Sequence, residues 1–373
     1  MKHNFYKQLL LFITSSLLLI SCNDDKNENV TTFDPSFVIV NEGNFSEGNG
    51  RLFGVEEKDS IYTIMPDYFK YKNNREIQSY LQGCDISENV TVICGANGDK
   101  IEFLDSKSLV RKFDPFTTDI VNPRKAAFSD NYIFVSVWGP YTDVDNGDYS
   151  IKNSKIIKLD INTGKEVSRF DVGSKPEGLA VVNDELYVAI ADSTKIEVYN
   201  LDGNLQENIN LNAVPQDFLV DSDNNLWVSL TKGYIFPTPA DENLGIGQVN
   251  TSSKTVELKV NFPQISGKGF MKFDENSSKI YALGSIITYD DDWNQLPAES
   301  SIIRFDINNA VSEKYMEGIN FSGFGINPNN DYFYLAITPH FSGSGSYQIY
   351  NEEKELVANE SAGVGPFDFI FFK

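Results

Sequence analysis

From residue 36 onward the chain repeats one short unit, and no other feature limits the fold as much. One copy opens with Lys175-Pro176-Glu177-Gly178-Leu179-Ala180-Val181, turns at Asn183-Asp184 and continues with Leu186-Tyr187-Val188-Ala189. It runs on through Lys195-Ile196-Glu197-Val198-Tyr199-Asn200 and, after Asp202-Gly203, ends with Leu205 to Ile209. Four short strands with apolar residues at alternate positions, joined by Asn/Asp/Gly turns, make an antiparallel meander. The same order starts again at Asn122-Pro123, Val214-Pro215, Gly269-Phe270-Met271 and Phe324-Gly325-Ile326, and more weakly at Leu81. A seventh unit is divided between the chain ends. Phe37–Val40, Arg51–Val55 and Ile61–Ile64 read as its second, third and fourth strands, and Gly365–Phe372 supplies the missing first. Sharing residues 36–373 among seven units gives 338/7, or about 48 residues each, an ordinary length for a propeller blade. The expected fold is therefore all-β: a seven-bladed β-propeller closed by pairing of the N- and C-terminal strands in one blade, which removes the exposed sheet edges. A β-sandwich or β-helix is the alternative, and the divided terminal unit argues against both.

The N-terminus has a different character. Lys2 and Lys7 precede an apolar run, Leu9 to Ile20, that is short for a membrane span. It ends in Leu19-Ile20-Ser21-Cys22, which resembles the bacterial lipobox, so residues 1–21 are expected to be a lipoprotein signal peptide and Cys22 the acylated new N-terminus. Several acyl chains on one cysteine would meet the requirement for stable anchoring in outer-membrane lipid. Residues 22–35 read as a lipidated flexible tether before the propeller of 36–373. Asn23-Asp24-Asp25 resembles the acidic signal that sends Bacteroidota lipoproteins to the outer face of the outer membrane; a solvated linker start is the plain alternative. The expected location is the outer membrane, lipid-anchored and facing the cell exterior.

Strand direction orders the loops. In a meander blade the links from strand two to three share a face with those that lead to the next blade. These carry the length: Asn41 to Gly50, Trp138 to Ser150, Thr231 to Asn243, Ser285 to Glu299 and Thr338 to Ser344, with Pro66 to Arg75 and Pro115 to Asn122 between blades. Links on the other face are short turns. Long loops on one face of a rigid ring are where function concentrates. They hold Phe45, Tyr68, Phe69, Tyr71, Trp138, Tyr141, Tyr149, Tyr234, Phe236, Tyr289, Trp293 and Phe341 among Asn, Asp, Ser and Gly, a composition suited to binding. Each ring alone is as readily a plug for its own loop. The formal charge of −22, which becomes −24 once Lys2 and Lys7 leave with the signal peptide, speaks against nucleic acid.

Asn41-Glu42-Gly43-Asn44 after the first strand and Ala362-Gly363-Val364-Gly365-Pro366 before the last are similar to the YncE-like surface propellers of Bacteroidota. Ser174-Lys175-Pro176-Glu177-Gly178-Leu179-Ala180 and Asp291-Asp292-Trp293-Asn294 fit the same pattern. The likeness covers about residues 36–373. It implies a BtuG-type role: a surface lipoprotein that captures cobalamin or a related corrinoid and passes it to a TonB-dependent outer-membrane transporter. A large, mostly neutral ligand rich in amides suits polar rims and aromatic walls. The expected ligand-binding residues are Phe45, Trp138, Tyr141, Tyr149, Tyr234, Phe236, Tyr289, Trp293, His340 and Phe341.

His340, one of 2 histidines, has an imidazole that suits a corrinoid cobalt or a haem iron, although an exposed loop histidine is the commoner case. No cofactor beyond the corrinoid ligand is expected, apart from a structural calcium at Asp143–Asp148, Asp221–Asn225 or Asp290–Asp292, runs that read more economically as turns. Cys84 and Cys94 fall on neighbouring strands; a two-residue turn would set position 84 beside 91 and leave Cys94 on the other side, so two buried thiols are expected. An enzyme is not expected: no Gly-x-Ser-x-Gly elbow is present. A calcium-dependent lactonase-like site using Glu177 and Asp217, or a scaffold or adhesion propeller without a small ligand, are the competing readings.

Overall fold

The computed structural model describes residues 33–291, 296–339 and 343–372. The expected signal peptide and most of the tether, with Cys22, lie outside the described residues. Among the described residues twenty-eight strands form seven four-stranded antiparallel sheets, and a two-stranded hairpin is added to the third. In the divided blade the last strand, Pro366–Phe371, pairs with Phe37–Asn41, which pairs with Arg51–Lys58 and then Ile61–Met65. Val38 lies opposite both Ile370 and Gly54, so the second strand of this blade is held on both edges. The expected seven-bladed ring with terminal closure is the fold observed.

Alternation sets the packing. Side chains of each strand point alternately to the two neighbouring blades, and the core is a series of inter-blade layers. Between the second and third blades, Val92, Cys94, Ile101 and Phe103 meet Ala126, Ile133, Val135 and Ile157. Between the divided blade and the seventh, Phe37, Ile39 and Phe369 meet Tyr334, Tyr347 and Ile349. Phe37 stands edge-on to Tyr334 with centroids 4.9 Å apart, a favoured aromatic geometry.

Asn41-Glu42-Gly43 clasps the chain ends. The Glu42 N–H donates to Gly365 O at 2.8 Å and the Gly43 N–H to Val364 O at 2.9 Å. Gly43 has φ +83°, and a Cβ there would lie 2.3 Å from the Gly50 nitrogen, so the turn requires glycine.

Two readings of detail are corrected. The link from Pro66 onward does not lie on the loop face as expected. Asp67 caps a short helix, Tyr68–Asn73, by accepting from the Lys70 N–H, and Asn74 ends it at φ 54°. Tyr68, Phe69 and Ile77 are buried, Asn73 Nδ2 donates to Leu109 O at 3.1 Å, and Arg75 pairs with the buried Glu102. The segment is a wedge between the first two blades; only Tyr71 of its three aromatics is exposed. Cys84 and Cys94 are free and buried, as expected, but Cys84 lies opposite Ile93 and Gly83 opposite Cys94. The turn is longer than two residues. A register change of two keeps every side chain on its side of the sheet, so the thiols still face apart.

Candidate functional site

Most unit-opening strands bulge at their second or third residue. Pairing with the next strand skips residues 124–125, 177–178 and 216–217, and slips at 82 and 322. Bulges re-aim side chains, and the skipped residues include the charged Arg124, Lys125, Glu177 and Asp217, on strands that open their blades. A serine on the adjoining strand satisfies the freed backbone: Ser136 Oγ accepts from the Lys125 N–H at 3.1 Å and donates to Glu177 O at 2.8 Å, while Ser229 Oγ accepts from the Asp217 N–H at 2.9 Å.

The result is a ring of charge clasps. Arg124 grips Glu177 through Nε and Nη2, the latter at 2.9 Å. Lys125 reaches past the fourth blade to Asp217 at 3.1 Å, and Lys272 past the seventh to Asp368 at 2.8 Å. Both long reaches pass a glycine. A Cβ on Gly178 would lie 2.6 Å from Asp217 Cα, and one on Gly323 would lie 1.7 Å from Phe367 O. Glu42, buried at the mouth, holds Lys268 and accepts from Tyr80 Oη at 3.0 Å. Asp85 accepts from the Ala126 N–H at 2.8 Å; burial pushes its carboxyl up to about 6 despite the opposing pull of Lys125. For Lys125 itself burial acts downward, but the Asp217 and Asp85 carboxylates outweigh it and raise its pKa. Burial, then Asp368 and Asp85, raises the Cys84 thiol, so it stays protonated and inert at neutral pH. Glu177 and Asp217, the carboxylates of the lactonase-like reading, are each engaged by a cation of another blade. Sequence reasoning missed this ring as a ring. The signal was a charged residue just after the opening proline in successive units.

Above the ring stands the loop face. Trp138 is half-buried at the channel mouth, with the Arg124 guanidinium 4.2 Å and the Lys175 ammonium 5.7 Å from its ring, and its carbonyl accepts from Ser154 Oγ at 2.6 Å. Phe45 is exposed and edge-on to Tyr80. Tyr141 and Tyr149 face each other across the added hairpin, Tyr141–Asp143 with Asp148–Ile151, at 6.2 Å. Tyr289 is half exposed. Tyr234 and Phe236 are 99% and 97% exposed, on a loop whose base is fastened by Lys232–Asp241 at 3.0 Å and by Asn261 Nδ2 donating to Asp241 O at 2.8 Å. Trp293, His340 and Phe341 lie outside the described residues. The described aromatics lie on loops that strand direction sends to one face; Tyr141 and Tyr149 meet within one hairpin and Phe45 meets Tyr80 at the start of the next blade, so they stand as separate posts and not one cluster.

Two of the three acidic runs hold turns. Asp143 accepts from Asn146 Nδ2 at 2.7 Å, and Asp221 accepts from the Asp223 and Asn225 N–H groups and from Trp227 Nε1. Among the described residues no three His, Cys, Asp or Glu side chains converge as a metal-binding set; Asp292 lies outside them.

No known family model matches the chain, and no curated protein matches it in sequence. Solved structures do. A quinonprotein alcohol dehydrogenase-like protein from Bacteroides thetaiotaomicron is 13% identical with a TM-score of 0.65, covering 91% of this chain and 78% of its own. The periplasmic gluconolactonase of Pseudomonas aeruginosa is 12% identical with a TM-score of 0.57, covering 90% of this chain and 99% of its own. Hydrazine synthase from Kuenenia stuttgartiensis is 14% identical with a TM-score of 0.58, covering 77% and 88%. At such identities the likeness is one of fold, and the chain shares with these neighbours the architecture of a seven-bladed β-propeller.

Proposed function

We propose that the protein is a surface lipoprotein that binds cobalamin or a related corrinoid on its long-loop face and passes it to a TonB-dependent outer-membrane transporter. The observation that carries the reading is the separation of the two faces. Exposed Phe45, Tyr149, Tyr234, Phe236 and Tyr289 lie on loops of one face, while the start of the strand Phe37–Asn41 and the end of the strand Pro366–Phe371 lie at the other. Ser36 donates to Val55 O beside the first strand, and Phe372 O accepts from Asn329 Nδ2 in a short turn. The first strand of the propeller therefore starts, and its last strand ends, on the side away from the aromatic loops. Separate aromatic posts around a charged mouth suit a broad ligand bearing many amides, which needs flat apolar support and scattered hydrogen bonds. The engagement of Glu177 and Asp217 by Arg124 and Lys125 favours binding over a calcium-dependent hydrolysis at the channel. Calorimetric titration of the purified mature protein with cyanocobalamin tests the reading. Saturable one-site binding is expected, and no heat at any accessible concentration overturns it.

A further inference from the structure

The outer rim carries a second feature that the loop face does not explain. Between the second and third blades lies an open trough of about 580 Å³, walled by the strand Arg111–Phe116 and by the turn and strand start from Thr163 to Glu166. The strand is held only loosely to its neighbour: its register shifts twice, and Phe113 turns inward, edge-on to Phe103 at 5.8 Å and against Gly164. The trough runs along that irregular strand. Its walls are unusual for a chain of charge −22. Arg111, Lys112 and Lys165 line it, against Asp114 and Glu166. Glu166 is already taken by Arg169, whose Nε and Nη2 lie 2.6 and 2.5 Å from its oxygens. Asp114 is 91% exposed and only 3.5 Å from Arg111 at its nearest, a weak pair in water. Lys112 uses one of its three donors on Asn89 O, at 2.7 Å. The trough therefore holds an excess of cationic donors beside the half-buried Phe113, Pro115 and Phe116.

We infer that this trough is a binding site for a short saccharide whose rings carry carboxylates. A carboxylate meets Arg111, Lys112 and Lys165 through charge-assisted hydrogen bonds, and the C–H faces of the sugar rings rest on the phenylalanine and proline edges. The trough is open and polar, which suits a hydroxyl-rich chain and not an acyl tail. Long polyanions are disfavoured by the repulsion of the whole molecule, which at physiological salt reaches about 8 Å, so the ligand is short. The site lies on the outer rim and is independent of the corrinoid reading, since it shares no residue with the set proposed to hold the corrinoid.

The test is calorimetric or NMR titration of the full mature protein with trigalacturonate, its neutral counterpart trigalactose, and triglutamate as an acidic peptide. Trigalacturonate is expected to bind in the millimolar range or tighter, weakening at least tenfold in an R111Q/K112Q/K165Q variant and on raising the salt, while trigalactose binds at least tenfold more weakly. The three substitutions sit on exposed side chains, and an unchanged melting temperature verifies the variant's fold. Absence of trigalacturonate binding, equal binding by the variant, or equal binding of triglutamate would each overturn the proposal. Cyanocobalamin titration of the same variant separates the two sites: its affinity is expected to stand whatever happens at the trough.

Discussion

At the scale of single residues the charge ring is the most informative region, because its groups do different things at similar depth. Glu177 and Asp217 have close cations, whereas Asp85 has a backbone N–H and a more distant Lys125. Its folded-state pKa, about 6, stands above that of an unfolded aspartate. The folded protein thus holds this proton more tightly than the unfolded chain. Ionised Asp85 costs stability above about pH 6, and the cost disappears as the pH falls toward about 4. Asp85→Asn should therefore melt higher than wild type at pH 8 and lose that advantage in acid, which thermal melts across pH will check; a constant difference at every pH contradicts the assignment. Glu177 and Asp217 stood out in the sequence as carboxylates, but their cations did not, because Arg124 and Lys125 belong to another unit and meet them only once the ring closes. Gly43 was legible as part of a motif, yet its reason is geometric and needs the neighbouring Gly50 backbone.

Elements tell a similar story. The strand Pro366–Phe371 is buried along most of its length and pairs with Phe37–Asn41. Deleting Gly365 to Lys373 would leave that strand's edge unpaired, remove Phe369 from its packing against Tyr334 and free Lys272 of Asp368. The expected result is loss of the cooperative melt or a drop far beyond that of a trimmed tail; an unchanged melting temperature would contradict terminal closure. The wedge invites a smaller test. Phe69 is fully buried on the short helix, so Phe69→Ala should cost about 3–5 kcal/mol by chemical denaturation, whereas a loop-face aromatic would cost almost nothing. Blade strands were readable because alternation and Asn/Asp/Gly turns recur at fixed spacing. The wedge was not, since six residues are too few for helical periodicity to show. Its local signals, Asp67 as N-cap and Asn74 as left-handed C-cap, are visible only when a helix is already suspected.

Across the propeller the ring divides two faces: the outer ends of the two terminal strands and the short turns on one side, the aromatic posts on the other. Seven units and a divided blade were legible because each opening repeats; how the loop aromatics stand above the channel was not, since loop conformation depends on neighbours that no repeat encodes. The anchor belongs to the same picture. Cys22→Ser should release the protein from membranes without changing its melt, as fractionation will show, and continued sedimentation with the outer membrane would point to another attachment. The central claim, that the long-loop face binds a corrinoid, is tested most directly by comparing the two faces with one ligand. Cyanocobalamin should be titrated calorimetrically into wild type, into Trp138→Ala and a Tyr234→Ala/Phe236→Ala double variant, and into Asn183→Ala and Asp202→Ala on the short-turn face. Loss of a true anchor should cost about 2 kcal/mol or more, at least about 30-fold in affinity, while the short-turn variants should stay within about 0.5 kcal/mol of wild type. Equal losses on both faces, or a wild-type protein that takes up no corrinoid, would contradict the account.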